Sequence, residues 1–579
     1  MGMPKYLAIT ISGAVSLGSY EAGAMFQVLD AIRQHNEYVK DRDGDPIYVD
    51  VITGASAGGM TAVILAQKLL LDGPSFVDDA NNPLYNTWVE RIDLSELIGT
   101  KDKPLSDVID PARLSLLSST LIERIAAETL LAPPNPEPIP HAAVDPARGI
   151  KLGLALTNLN GVNYGQKMAN GDDFQYTDFS DQMLRDLTPV PGPAAWAWRD
   201  KDAQETWTEL SSASVACGAF PVAFRARALE RSFADYADDL PLDWAEGNQT
   251  FAYTDGGVLQ NQPLGMAKNL VDDLDHHQNT DRRFYLFVSP DAMVGSANAK
   301  LAAADTTILH ILERLVAIYT GQGVFRDWVQ ADAINQQVSM LDFRASGLTL
   351  DLKAPGSTLD PALLIQAARS ILPLLYLNAG GDAVMEADYD RLAGQYATEV
   401  GELGGAADPR AQAMLSTIQA LEKGANLGKR DFMHIYGVVV NQGVLAGEGL
   451  FAFTGFFNQP YRQHDYDCGR QKALELLATI NNAPAGDGKH SLGPIHFTAP
   501  ATIIIDSSLN GLPLGKVAPD KIQLFKDGLI HRVNQILAEE LSNPLERYPA
   551  QLGADLALTA ILNWEFSRKP QEVQGAQNG

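Results

Sequence analysis

At 579 residues, with 46% hydrophobic and 20% charged side chains, the chain can bury a large core and has room for more than one lobe. Its 44 basic against 71 acidic residues leave a formal net charge of -27, which opposes association with nucleic acid or with a strongly anionic membrane. Two cysteines, with neither a C-x-x-C pair nor zinc-type Cys/His spacing, argue against a disulfide scaffold or a structural zinc and read as buried thiols in a reducing compartment.

At the N-terminus, Lys5 ahead of an apolar run imitates a secretory signal, but cleavage there would remove the glycine turn that follows. Tyr6 stands where a myristoylation pattern wants Ser or Thr. No apolar run is long enough to cross a bilayer, so a cytoplasmic protein is expected, meeting membranes only peripherally.

Tyr6 to Ser12 is a predicted strand, and Ser19 to Gln34 a helix with Met25, Val28, Leu29 and Ile32 on one face. Tyr48 to Thr53 is a second buried strand and Ala57 to Leu71 a second helix. This βαβ pattern predicts a parallel sheet with both faces covered. Between the units, DRDGDP (Asp41 to Pro46) is read as a turn, because its glycine falls too early and Ile52 stands where a calcium loop needs Glu. A helical stretch around Leu114 to Leu131 runs into the proline-rich connector PPNPEPIPHAAVDP, and Lys151 to Leu159 is strand-like again. Pro189 to Trp207 gathers Trp196, Trp198 and Trp207, for which core packing competes with an apolar lip at a lipid interface. Ala213 to Ala228 reads as a helix end turning into a strand, with further strands at Phe251 to Thr254 and Phe284 to Ser289.

Beyond about Ser296 the texture becomes helical, with Ile308, Ile311, Leu312, Leu315 and Ile318 on one face. Further helices are predicted near Pro361 to Leu377, Tyr389 to Val400 and Ala411 to Leu421, interrupted by strand-like His434 to Val440 and Thr502 to Ile505. The expected organisation is an α/β domain over 1–295, a mostly helical region over 296–568 packed on it, and a disordered tail over 569–579.

Chemistry concentrates in three places. The first strand ends in SGAVSLGS, whose Gly13-x-x-x-x-Gly18-Ser19 spacing approaches a phosphate loop but lacks its lysine. The second strand ends in GASAG, a G-x-S-x-G elbow of Gly54, Ser56 and Gly58, where small neighbours let a strained serine stand clear of the turn. This makes Ser56 a candidate nucleophile. The third is TDGG, in which Asp255 closes a short strand ahead of Gly256 and Gly257. A carboxylate is a weak base near pH 7, with a reference pKa of about 3.9, but burial beside a serine would raise it.

A glycine loop after strand one, GASAGG after strand two and DGG after a later strand, followed by Asn261 and Pro263 and preceded by SSASVACGAFPVAF, resemble the patatin-like phospholipases. The resemblance covers Tyr6 to about Pro290, and FTGFFNQPYRQHDYDCGR is similar to a segment of larger bacterial members. It implies a three-layer α/β/α fold with a mainly parallel central sheet and a Ser–Asp dyad. In that reading Ser56 attacks a lipid or phospholipid ester at a membrane surface, Asp255 takes its proton, the backbone amides of Gly13 and Ala14 hold the oxyanion, with Ser12 and Val15 as further candidates, and neither metal nor organic cofactor is needed. The chain departs from the family at Leu17, where an Arg or Lys is usual. Two other readings stand beside this one: a triad esterase drawing on a late histidine, His464 in RQHDYD, and a non-catalytic lipid-binding protein on the same fold. The remaining histidines, including His276, His277, His310, His434 and His531, sit in helix-like or strand-like surroundings that suit structural roles.

Overall fold

The computed structural model describes residues 2–98, 115–131, 139–167, 173–188, 203–221, 223–236, 241–244, 246–275, 282–290, 326–376, 381–425, 433–482, 491–512, 516–540, 547 and 550–551. Strand β1 (Lys5–Ile11) is buried from Leu7 onward, as a strand covered on both faces must be. It leads through a 3-10 turn at Val15–Leu17 into helix α1 (Gly18–Val39). Strand β2 (Ile47–Gly54) pairs parallel to β1 and runs into helix α2 (Ala57–Leu71). Asp41–Pro46 between them is a turn leading into β2, as expected.

Helix α3 (Ser119–Leu130) precedes a long hairpin of β3 (Ile150–Lys167) and β4 (Asp173–Leu187). Helix α4 (Ala203–Cys217), β5 (Arg227–Ser232), β6 (Asn248–Asp255), helix α5 (Leu264–Asp275) and β7 (Arg283–Ser289) follow. A last strand, β8 (His434–Val439), completes an eight-stranded sheet of order β5-β6-β3-β2-β1-β7-β8, with β4 pairing β3 beside this path. β3, β2, β1 and β7 run parallel at its centre, and β6 and β5 extend it antiparallel from β3. This is the architecture anticipated from the resemblance, a mainly parallel central sheet with helices packed on it.

A buried ion pair ties the centre of the sheet. Asp50 of β2 is 1% exposed and meets Arg283 of β7 at 2.5 and 2.9 Å and Arg148 at 2.7 Å. Both guanidinium groups also lie over the ring of Tyr6, so the carboxylate and its cations satisfy one another away from water.

The chain divides into two compact units at other points than the predicted boundary near 295. The first takes the residues up to 274, those around β7 and everything from 435 onward; the second is the segment 326–434. The helical C-terminal region expected from 296 is therefore shared between them. In the first unit, helix α1 packs on the late helix Gln459–Asn482 so closely that a Cβ on Gly23 would stand 1.9 Å from the Tyr466 carbonyl oxygen. The second unit is helical, with helices over Arg326–Lys353, Pro361–Leu375, Gly381–Gln395 and Pro409–Gly424, and has a core of its own around Leu392, Tyr396, Met414, Leu415 and Ile418. Thr502–Ile505, predicted as a strand, is irregular; Ile504 is 87% exposed and has no sheet partner to cover it. The residues 308–318 and the tail from 569 lie outside the described residues.

Candidate active site

Strand β2 delivers Ser56 to the C-terminal edge of the sheet. Its backbone, at φ 52° and ψ -127°, is a conformation that L residues rarely hold, and helix α2 begins at the next residue. The turn closes only because its neighbours lack side chains: a Cβ on Gly54 would stand 2.4 Å from the Gly58 carbonyl oxygen, and one on Gly58 2.2 Å from that of Ser12. Ser56 is buried, and its Oγ donates to Asp255 Oδ2 at 2.6 Å.

Asp255 ends β6, where it pairs across from Leu156 of β3. Its N–H donates to the Ala219 carbonyl at 3.0 Å, its own carbonyl accepts from Thr157 Oγ1 at 2.8 Å, and its Oδ1 accepts from the Gly257 N–H at 2.7 Å. Gly256 has the Ala155 carbonyl against it, leaving no space for a side chain. Full burial pushes the Asp255 pKa up to about 7, against the opposing pull of the hydrogen bonds from Ser56 and Gly257. The carboxyl is thus fixed through both oxygens and titrates where a general base is useful.

The glycine loop lies against this pair. A Cβ on Gly13 would come within 3.0 Å of Ser56 Cβ, so the loop does approach the nucleophile. Its amide is another matter, because the Gly13 N–H donates to the Asn261 backbone carbonyl at 3.0 Å. This corrects the expectation that it is available to an oxyanion. Ala14 follows in the same loop, and among the described residues its amide has no backbone partner. Two further groups escaped the sequence reading. Ala57 and Gly58 open α2, where first-turn amides have no acceptor within the helix and the helix dipole favours negative charge. Asn261, noticed only as part of a motif, is the residue that ties the loop to the DGG turn.

His464 is not brought to Ser56. Its Nδ1 lies 3.0 Å from Asp465 Oδ1 and its Nε2 3.0 Å from Asn510 Oδ1, so both ring nitrogens face acceptors. Burial opposes its charge, yet the Asp465 and Cys468 side chains prevail and hold its pKa up at about 10. An imidazolium so engaged has no lone pair for a serine proton, which removes the late-histidine triad on this residue. The neighbouring Arg470 pairs with Asp79 at 2.8 Å, as a structural tie would. Trp207 is fully buried in α4 and forms no lip, whereas Trp196 and Trp198 lie outside the described residues, as do His276, His277 and His310. Both cysteines are free and buried, as expected. Among the described residues no helix is long and apolar enough to cross a membrane.

Comparison with known proteins finds a family match for the span that holds these elements. The sequence model described as "Patatin-like phospholipase" matches residues 9–268, the span that holds loop, elbow and DGG turn. An uncharacterized protein, y4iI, of Sinorhizobium fredii (strain NBRC 101917 / NGR234) is 24% identical over 320 residues, which is 45% of each chain; the present chain thus matches about half the length of this relative. A crystal structure of VipD from Legionella pneumophila aligns over 99% of this chain and 92% of its own at 12% identity, but at a TM-score of 0.18 the likeness carries no argument. Residues 9–268 are therefore similar to a patatin-like phospholipase domain.

Proposed function

We propose that the protein is a serine acyl hydrolase that cleaves carboxylic esters of phospholipids or related lipids through a Ser56–Asp255 dyad. The observation that carries this reading is the 2.6 Å hydrogen bond from Ser56 Oγ to a wholly buried carboxyl with a pKa of about 7. In the first step Ser56 Oγ attacks the acyl carbonyl carbon and its proton passes to Asp255 Oδ2. The oxyanion that forms is met by the amides of Ala14 and of Ala57 at the start of α2, rather than by Gly13. Collapse of the tetrahedral intermediate expels the alcohol, which leaves with the proton from Asp255, and the acyl group stays on Ser56. Water then attacks the acyl-enzyme, giving its proton to Asp255, and breakdown releases the fatty acid while the proton returns to Ser56. No positive side chain stands at Leu17, and the chain carries a net charge of -27, so zwitterionic or neutral head groups at a membrane surface are the better match.

Asp255→Asn tests the role of the base, since it keeps the shape of the side chain and removes its basicity. Turnover of a long-chain p-nitrophenyl ester should fall by at least about a hundredfold, the lower end of what a general base contributes. An unchanged rate would remove Asp255 from the mechanism, and a wild-type protein that binds lipid vesicles without hydrolysing any ester would favour the non-catalytic reading.

A further inference from the structure

The loop that faces Ser56 does not hold its shape alone. Ser16, at its far side, is completely buried, and both hydrogen-bonding capacities of its hydroxyl go to one distant segment. Its Oγ donates to the Ala452 carbonyl and accepts the Gly455 N–H at 3.1 Å. That segment, Ala446 to Phe457, is a series of short helical turns. From behind it is pinned by Asp465, 0% exposed, whose Oδ1 and Oδ2 accept the amides of Ala446 at 2.7 Å and Gly447 at 2.9 Å. There is no slack between the parts: a Cβ on Gly447 would meet Leu17 Cδ2 at 2.7 Å, and one on Gly455 would meet Ser16 Oγ at 2.6 Å.

Backbone strain marks the same place. Among the described residues four that are not glycine have a positive φ: Ser56 itself, Val15 of the loop, and Leu450 and Ala452 of the distant segment. Such conformations persist where the surroundings over-determine them. The segment also reaches the other half of the dyad. Phe453 packs edge-on against Phe220 at 5.7 Å, and Phe220 follows Ala219, whose carbonyl accepts the Asp255 N–H.

We propose that Ala446–Phe457, held by Asp465, is a strap that fixes the oxyanion loop through Ser16, making Ser16 a positioning residue although it touches no substrate. The proposal rests on the Ser–Asp reading above. Donors that align only with the developing oxyanion act on the transition state, so loosening them lowers kcat and leaves KM in place.

The test is Ser16→Ala in the full chain, assayed on a soluble short-chain p-nitrophenyl ester and by the rate of fluorophosphonate inactivation, both normalised to titrated active sites. Expected are a fall in kcat on the order of tenfold, a KM within about twofold, and inactivation slowed in parallel, a part of the hundredfold or more that one oxyanion donor supplies. Gly455→Ala presses on the same hydroxyl from the strap and should give the same selective loss. Combined with Ser16→Ala it should add little, because the two changes act on one contact. If Ser16→Ala lowers the folded yield, Gly455→Ala carries the test. A wild-type protein inert to the fluorophosphonate would refute the Ser–Asp reading itself. Wild type that reacts, with variants that react equally fast per active site, would overturn the strap alone.

Discussion

At the scale of the residue, the account turns on one carboxyl. Asp255 is buried with a pKa of about 7, and it must be ionised to accept the Ser56 proton. A pH series of kcat/KM should therefore rise with unit slope on the acid side, bend near pH 7 and level off above it. A profile flat from pH 5 to 9 would contradict this. Stability should move the other way. The folded state retains a proton on Asp255 between its unfolded value near 4 and about 7, so this group favours folding at the acid end of that window, and its contribution declines as the pH rises toward 7. The Asn variant carries no such charge and should be more thermostable than wild type at pH 8, as checked by thermal melts. The two residues of the Ser56–Asp255 contact were legible because elbow and DGG turn each need glycine for a stated steric reason. The donor that Gly13 was expected to supply was not, because the Asn261 carbonyl that engages its amide comes from far along the chain.

At the scale of the element, the first βαβ unit was readable to within a residue, except that α1 runs to Val39, five residues past its predicted end at Gln34. β1, β2, α1 and α2 are buried runs bounded by turns, and the predicted Ala57–Leu71 helix is the one observed. The hairpin strand β4 was missed because FQYTDFSDQMLRDL mixes polar residues on both faces, and β3 runs on to Lys167, past its predicted end at Leu159. The helix Gln459–Asn482 was hidden for a related reason. Its buried positions include Arg462, His464, Asp465 and Arg470, so an apolar stripe cannot be seen. Buried polar residues have partners that only the fold reveals, and Asp50 makes the point testable. Asp50→Ala leaves Arg283, itself 3% exposed, without its carboxylate in the sheet. Unfolding by urea should show a loss of about 3–5 kcal/mol, the usual cost of breaking a buried ion pair. A loss below about 1 kcal/mol would mean that Arg283 finds water or another acceptor there.

At the scale of the whole molecule, the sequence suggests a catalytic half followed by a helical half, while the contacts return residues from 435 onward to the first unit. Texture along a chain cannot show this, since β8 pairs into the sheet and the strap reaches the glycine loop across more than four hundred residues of sequence. On the proposed reading the site thus draws on the first and the last part of this sequence, with Ser56 as its chemical centre. Labelling of the full chain by a fluorophosphonate, with the adduct located by peptide mass spectrometry, tests this centre most directly. The account predicts a single adduct on Ser56 that disappears in Ser56→Ala; an adduct on any other residue, or labelling that persists in the variant, would contradict it.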